Sequence, residues 1–155
     1  MWMIQQNITE TLESNYMPYS AYVILERALP EIDGFKPSQR RILYTMYKMG
    51  LLKGSRKKSQ GIVGSTMFLH PHGDGAIYET LVRMSKDAES LLSPYIDSKG
   101  NFGKQYSRDM KYASARYTEV RLAEIAKELF EDINKNTVDM VDNYDGTLKE
   151  PKLLP

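Results

Sequence analysis

Apolar positions recur at three- and four-residue spacing over much of the chain, and small or polar clusters interrupt the recurrence at a few sharp points. In Tyr19–Leu29, Tyr22, Val23, Leu25 and Ala28 fall at mixed helical spacing, the period of one face of an α-helix. Pro30 stops it. A second helix is predicted from Pro37, because a first helical turn tolerates a proline whose missing N–H has no partner there anyway. Its apolar stripe is Ile42, Leu43, Met46, Tyr47 and Met49, and Gly50 is a natural terminator. Ser59–Leu69 is a weaker helical segment, with Val63 and Met67 in phase but Gly61 and Gly64 inside it. His70-Pro71-His72-Gly73 predicts a turn, since the residue before a proline avoids helical angles. Asp74 then reads as the N-cap of a helix with Ile77, Leu81 and Met84 on one face. Leu91–Arg116 is rich in Gly, Ser, Asn and Tyr without clear period and is expected to be loop and short strands. Thr118–Asp132 reads as the clearest helix, with Leu122, Ile125, Ala126 and Leu129 inward and Glu and Lys outward.

Two helices joined by the His70–Gly73 turn form the pattern of a helix-turn-helix. In that motif the second helix enters the major groove with its N-terminal end near bases and phosphates. Composition sets the outer bounds. With 155 residues, 41% hydrophobic and 26% charged, the chain has the size and balance of one globular domain. No apolar run approaches the roughly 20 residues of a membrane span. Residues 1–9 lack the basic and apolar regions of a signal peptide, so a cytoplasmic setting is the expectation. The absence of cysteine excludes disulfides, thiolate catalysis and Cys-type zinc sites.

Net charge is only +1, but its distribution is uneven. No Asp or Glu occurs between Gly34 and Gly73, a stretch carrying Lys36, Arg40, Arg41, Lys48, Lys53, Arg56, Lys57 and Lys58. Such a block can present a positive face to a polyanion, although Arg56-Lys57-Lys58 alone reads as a solvated loop. Lys36, Arg40 and Arg41 bracket a helix start. Arg40 and Arg41 point about 100° apart on a helix, so one can line a groove while the other pairs elsewhere. Phosphate contacts of this kind position a nucleic acid without reading its sequence.

Candidate chemistry is sparse. His70 and His72 form a His-x-His pair that can supply two zinc ligands, yet they are the only histidines, and on a turn their rings can equally donate to phosphate oxygens. Asp74 reads first as a cap. Glu119 and Glu124, on the outward face of the expected helix, read as surface charges. Tyr117 is one of 11 tyrosines, each by default an amphipathic core or rim residue. Arg116 beside it and the expected helix start at Thr118-Glu119 single it out. Attack of a phenol on phosphorus needs positive charge near the transferred phosphate, which a guanidinium and a helix start would supply. With a free pKa near 10, only about a thousandth of a phenol is ionised at neutral pH, so activation by a neighbour is required.

An ordered set of strings spanning about Ile8 to Pro155 resembles the A subunits of bacterial type IIA topoisomerases, gyrase and topoisomerase IV. The strings are Arg27-Ala-Leu-Pro30, Asp33-Gly-Phe-Lys-Pro37, Arg40-Arg41-Ile-Leu-Tyr44, His70-Pro-His-Gly-Asp74 and Tyr78 through Arg83-Met84. Gly100-Asn-Phe-Gly103, Ala115-Arg-Tyr-Thr-Glu119 and Val141-Asp-Asn-Tyr-Asp-Gly146 follow in the same order. The resemblance implies a helix-rich α+β fold, a winged helix-turn-helix (CAP-like) DNA-cleavage domain with small β elements. It implies an N-terminal arm over 1–18 that packs on a partner subunit, the breakage-reunion domain over 19–145, and over 146–155 the start of a connection to a further tower domain.

The resemblance further implies that Tyr117 attacks a backbone phosphate to give a 5′-phosphotyrosyl link and a free 3′-hydroxyl. Arg116 would stabilise the transferring phosphate. Arg27, Arg41 and His70 would belong to the cleavage site, and Lys36, Arg40, His72 and Arg83 to the DNA-facing surface. Expected partners are double-stranded DNA, a B-type subunit that holds Mg2+ and hydrolyses ATP, and a second copy of the A-type protein; this chain itself should hold no metal. At the quinolone-binding positions of the family stand Gly75, where many gyrases have serine, and Glu79. Glycine has no hydroxyl for the water–magnesium bridge to the drug, so weak quinolone sensitivity is expected. Lys104–Arg116 looks slightly longer and more basic than in well-known gyrases, which bears on Tyr106, Arg108 and Lys111. Two other readings are a winged-helix protein that binds DNA without cutting it and a metallohydrolase built on His70 and His72.

Overall fold

The structure, a computed structural model, describes residues 6–86, 92–104 and 109–155. The chain divides into two compact units, Met1–Pro37 and Ser38–Pro155.

The first unit is dominated by one helical run over residues 8–28, α1. It begins at Asn7, whose side chain accepts from the Thr9 N–H at 3.3 Å, the geometry of an N-cap. The helix starts earlier than the Tyr19 expected from spacing. Pro18 lies inside it and has no N–H to donate; the π-helical turn Leu12–Tyr16 immediately precedes Met17–Val23, which carries that proline. Wider turns of this kind are a known way to pass an obstacle in the hydrogen-bond ladder. A second π turn, Ile24–Ala28, ends the run, and Leu29 is already extended. No residue of α1 is buried. A tight turn follows, closed by Gly34 N–H to Glu31 C=O at 2.9 Å and Phe35 N–H to the Asp33 carboxylate at 3.0 Å.

In the second unit the best-patterned helix is α2, Pro37–Lys48. Three of its five stripe residues, Ile42, Leu43 and Met46, are wholly inaccessible, while Tyr47 and Met49 are half-buried and Met49 lies just past the helix; withdrawing each of the three from water stabilises the fold by about 1.5–3 kcal/mol. Gly50, at φ 73°, ends it in the left-handed region open to glycine. Tyr47 stacks on Phe130 of the short helix α5, Ala126–Phe130, at 4.7 Å between ring centres. Helices α3, Ser59–Thr66, and α4, Asp74–Met84, pack together, and their Ile62, Val63, Ile77, Leu81, Val82 and Met84 are all buried.

A three-stranded antiparallel sheet has the order β1 (Lys57–Lys58), β3 (Glu119–Leu122), β2 (Ile96–Lys99). Its register sets Lys58 opposite Glu119 and Asp97 opposite Arg121. A separate hairpin pairs β4, Met140–Asp142, with β5, Lys149–Pro151. The α+β class with small β elements is thus observed. Among the described residues no helix is long and apolar enough to cross a membrane.

Two sequence expectations are corrected. Thr118–Asp132 is not one helix: its first part is the central strand β3, and only Ala126–Phe130 is α-helical. Glu119-Val120-Arg121-Leu122 also has period two, with Val120 and Leu122 buried and the charged residues half-exposed. Pairing on both edges decides in favour of the strand, and Ile125, expected inward, is exposed. Asp74 is not the N-cap either. Gly73 is, and the Asp74 carboxylate sits in the first turn, accepting from the Gly75 N–H at 2.8 Å. An acid there still favours the positive end of the helix.

Candidate functional site

The segment carrying Arg116 and Tyr117 is built outward from Gly100–Gly103. The Asn101 carbonyl accepts from the Ala113 N–H at 2.8 Å, and its side-chain oxygen accepts from the Gly103 N–H at 2.9 Å. At Gly103, φ is 73° and a Cβ would meet the Met110 carbonyl oxygen at 2.7 Å, so only glycine lets the two backbones approach this closely. Farther along, the Ser59 N–H donates to the Thr118 C=O at 3.0 Å and the Gln60 N–H to the Ala115 C=O at 3.2 Å. These bonds fasten both sides of Tyr117 to the start of α3.

Between those anchors a tight turn, Tyr117 N–H to Ser114 C=O at 2.9 Å, turns the Tyr117 side chain outward. Tyr117 is 69% exposed while its neighbour Thr118 is wholly buried. The Arg116 guanidinium lies over the Tyr117 ring at 6.0 Å from its centre, at the limit of a cation–π contact. The helix start expected to add positive charge here is absent, because Tyr117 precedes a strand; Arg116 is a cation that the structure brings to the phenol ring. This arrangement offers an accessible oxygen nucleophile with a guanidinium at hand for an anionic electrophile.

The His70–Gly73 turn is a second group. The His70 and His72 rings stack at 3.9 Å, and Tyr144 lies tilted 6.2 Å from His70. Buried Asn143 holds the hairpin loop in place, donating from its side chain to the Phe68 C=O at 2.9 Å while bonding Leu148 at 2.8 and 3.0 Å within the hairpin. Among the described residues no group of three or more His, Cys, Asp or Glu side chains is placed to hold a metal ion. A zinc site on the two imidazoles would therefore lack its further ligand there.

Helix α4 turns Gly75, Glu79 and Arg83 outward. Glu79 accepts from Arg83 at 2.6 Å, an exposed pair one turn apart. Space around Gly75 is open, with nothing within 4 Å of where a Cβ would stand.

The basic block is more occupied than its sequence suggests. Arg41 makes a two-point ion pair with Glu150 at 2.7 and 2.8 Å. Arg56 and Arg121 converge on Asp97, each at 2.7 Å, and Lys58 meets Glu119 at 2.8 Å. The Arg56 hydrogen bonds, reinforced by Arg121, hold the Asp97 carboxyl below the usual carboxylate range; Lys58 does the same for Glu119. Arg40 is 5% exposed, while Lys36 is exposed. Arg27, in the first unit, lies over the Tyr22 ring at 5.3 Å. Of the residues in the long polar segment, Lys111 is exposed; Tyr106 and Arg108 lie outside the described residues. Sequence reasoning missed Glu150, Asn143, Tyr144 and the hydroxyls of Ser59 and Thr118 as parts of these groups. Val141–Gly146 signalled two of them only as part of an ordered set.

Comparison with known proteins bears on this arrangement. The sequence model of the family described as the A subunit of DNA gyrase/topoisomerase IV matches residues 27–155. The chain is 50% identical to the DNA gyrase A subunit of Thermotoga maritima over 156 residues, covering 99% of this chain and 19% of that protein. It is 48% identical to the DNA gyrase A subunit of Staphylococcus aureus over 155 residues, 97% of this chain and 17% of that one. For the Helicobacter pylori DNA gyrase A subunit the identity is 47% over 157 residues, 99% of this chain and 18% of the relative. The chain therefore spans less than a fifth of the length of these relatives.

Proposed function

The chain belongs to the family of DNA gyrase and topoisomerase IV A subunits, and from that membership we propose that it is the nucleophile-bearing segment of a type II DNA topoisomerase. Tyr117 Oη attacks a backbone phosphorus, the P–O3′ bond breaks, and a 5′-phosphotyrosyl link and a 3′-hydroxyl result. The phenolic proton leaves to a base or solvent, and the 3′ oxygen takes one up. Because one phosphate ester replaces another, resealing needs no energy input at this step. The observation that carries the reading is the exposed Tyr117 under the Arg116 guanidinium, on a loop whose flanking residues Ala115 and Thr118 are buried. Arg116 would neutralise charge developing on the phosphate oxygens.

His70 joins the cleavage site in this proposal, as does Arg41. Arg41 would act through Nη1, since Glu150 takes its Nε and Nη2 and holds the guanidinium in one orientation. His72, Lys36 and Arg83 would contact the DNA backbone, where each cation adds affinity and salt dependence without reading sequence; Arg40, 5% exposed, would have to turn outward to join them. The helix pair α3–α4 beside a small antiparallel sheet supports a winged helix-turn-helix with α4 toward DNA. The exposed apolar side chains of α1, Ile8, Leu12, Tyr16 and Met17 among them, support an arm that packs on a partner subunit. Mg2+ and ATP belong to the B-type partner in this proposal; no step of the chemistry above is assigned to them through this chain.

The test is Tyr117→Phe in the full-length protein reconstituted with a B-type partner and supercoiled plasmid. Covalent DNA capture should disappear while DNA binding is retained. Capture that persists in this variant would sink the proposal, and an unmodified enzyme that binds DNA but never cleaves it would favour a binding-only protein.

A further inference from the structure

Beneath the exposed phenol lies a buried row of three hydroxyls. Thr118 and Ser59 are wholly inaccessible and Tyr78 is 7% exposed. The Thr118 hydroxyl donates to Ser59 Oγ at 2.8 Å. The Tyr78 hydroxyl stands 2.9 Å from Thr118 Oγ1 and 2.7 Å from the Ala113 carbonyl oxygen. The carbonyl can only accept, so Tyr78 donates to Ala113, while either hydroxyl can donate in the Tyr78–Thr118 contact; Thr118 Oγ1 also lies 3.5 Å from the Ala115 carbonyl oxygen. The two partners of Tyr78, Ala113 and Thr118, flank Tyr117 on either side in sequence. One phenolic oxygen of α4 thus ties together the two ends of the loop that presents another.

We propose that Tyr78, acting through Thr118, is a positioning residue that fixes the Tyr117 loop to helix α4, so that the outward face of that helix and the nucleophile keep one spacing. This rests on the reading of Tyr117 as the nucleophile. Tyr78 points inward from α4 beside Ile77 and Leu81, while Gly75, Glu79 and Arg83 point outward. A nucleic acid seated on the outward face would therefore find its distance to Tyr117 set through the Tyr78 hydroxyl. Apolar contact alone would hold the loop near the helix, since the Tyr78 ring also meets Tyr112 edge-on at 5.4 Å. Directional bonds add what packing lacks, a defined height and register. Burial raises the Tyr78 pKa, in keeping with a neutral phenol that donates to the Ala113 carbonyl.

Tyr78→Phe keeps the ring contact and removes both bonds. In the full-length protein with its B-type partner, single-turnover covalent capture should slow about tenfold to a hundredfold, the cost of displacing a reacting group by a fraction of an ångström to an ångström. DNA affinity should stay at its unmodified value. Thr118→Val should reproduce the defect, and Thr118→Ser, which restores a hydroxyl, should recover most of the rate. Capture at the unmodified rate in Tyr78→Phe and Thr118→Val overturns the proposal. So does a parallel loss of capture, DNA affinity and melting temperature that Thr118→Ser fails to rescue, which would make the row a purely structural element. An unmodified enzyme whose DNA adduct forms on a residue other than Tyr117 overturns the underlying reading together with this one.

Discussion

At the small sheet, Arg56 and Arg121 share Asp97, and Lys58 meets Glu119 within 2.8 Å. Just ahead of the central strand of that sheet, Arg116 rests on a phenol ring and remains exposed. The sheet cations hold the register of three short strands, two of whose edges would otherwise depend on few backbone bonds. They are poorly placed to receive an outside anion, because a carboxylate already occupies each. Among the described residues no carboxylate pairs with Arg116. The difference teaches that an exposed loop cation is more open to an outside anion than cations already paired within the longest basic run. Positive charge counted along a sequence overstates what a folded surface can offer a phosphate.

Arg116→Ala separates the two regions most sharply. Covalent DNA capture by the full-length enzyme should fall about a hundredfold to a thousandfold, the usual loss when one preorganised charge donor is removed, with the melting temperature unchanged. An equal loss from Lys58→Ala would erase the distinction. Gly75→Ser probes the outward face of α4, where a Cβ has open space and Ser is a better helix former than Gly. Quinolone-stabilised cleavage should rise roughly tenfold, the equivalent of one added hydrogen bond, and unchanged drug-stabilised cleavage would contradict the weak sensitivity expected from glycine.

The smallest effect concerns stability. The folded pKa of Asp97 is lowered by its arginines, so its contribution is fully present above the unfolded value. That contribution is lost as pH falls below about 4 through the depressed value. Asp97→Asn should lower stability by about 1 kcal/mol at neutral pH, modest because the cluster is partly solvated, and should flatten the acid limb of a melting-temperature titration. A variant with the same acid limb as the unmodified chain would remove the sheet from the comparison.

How much of this was legible depended on whether a pattern was local. The stripe of α2, its proline start and its glycine end follow from neighbours in sequence, and the structure carries them at the expected positions. Glu119–Leu122 satisfies both a helical and an alternating period, and only strands from residues 57–58 and 96–99 decide between them. That decision also removed the helix start from beneath Tyr117. The pairing of Arg41 with Glu150 joins residues 109 positions apart, beyond the reach of any spacing rule. In contrast, the ordered strings fixed the family without any of this geometry, because they sample the anchors of the Tyr117 loop: Gly100–Gly103, Tyr78 and Thr118.

The central claim is that one particular tyrosine becomes joined to DNA. Trapping the cleavage complex of the full-length protein with its B-type partner, digesting both polymers and sequencing the nucleotide-bearing peptide by mass spectrometry addresses it directly. The account predicts a 5′-phosphonucleotide on the Tyr117 oxygen; the same mass on any other side chain, or a 3′-phosphate linkage, would contradict it.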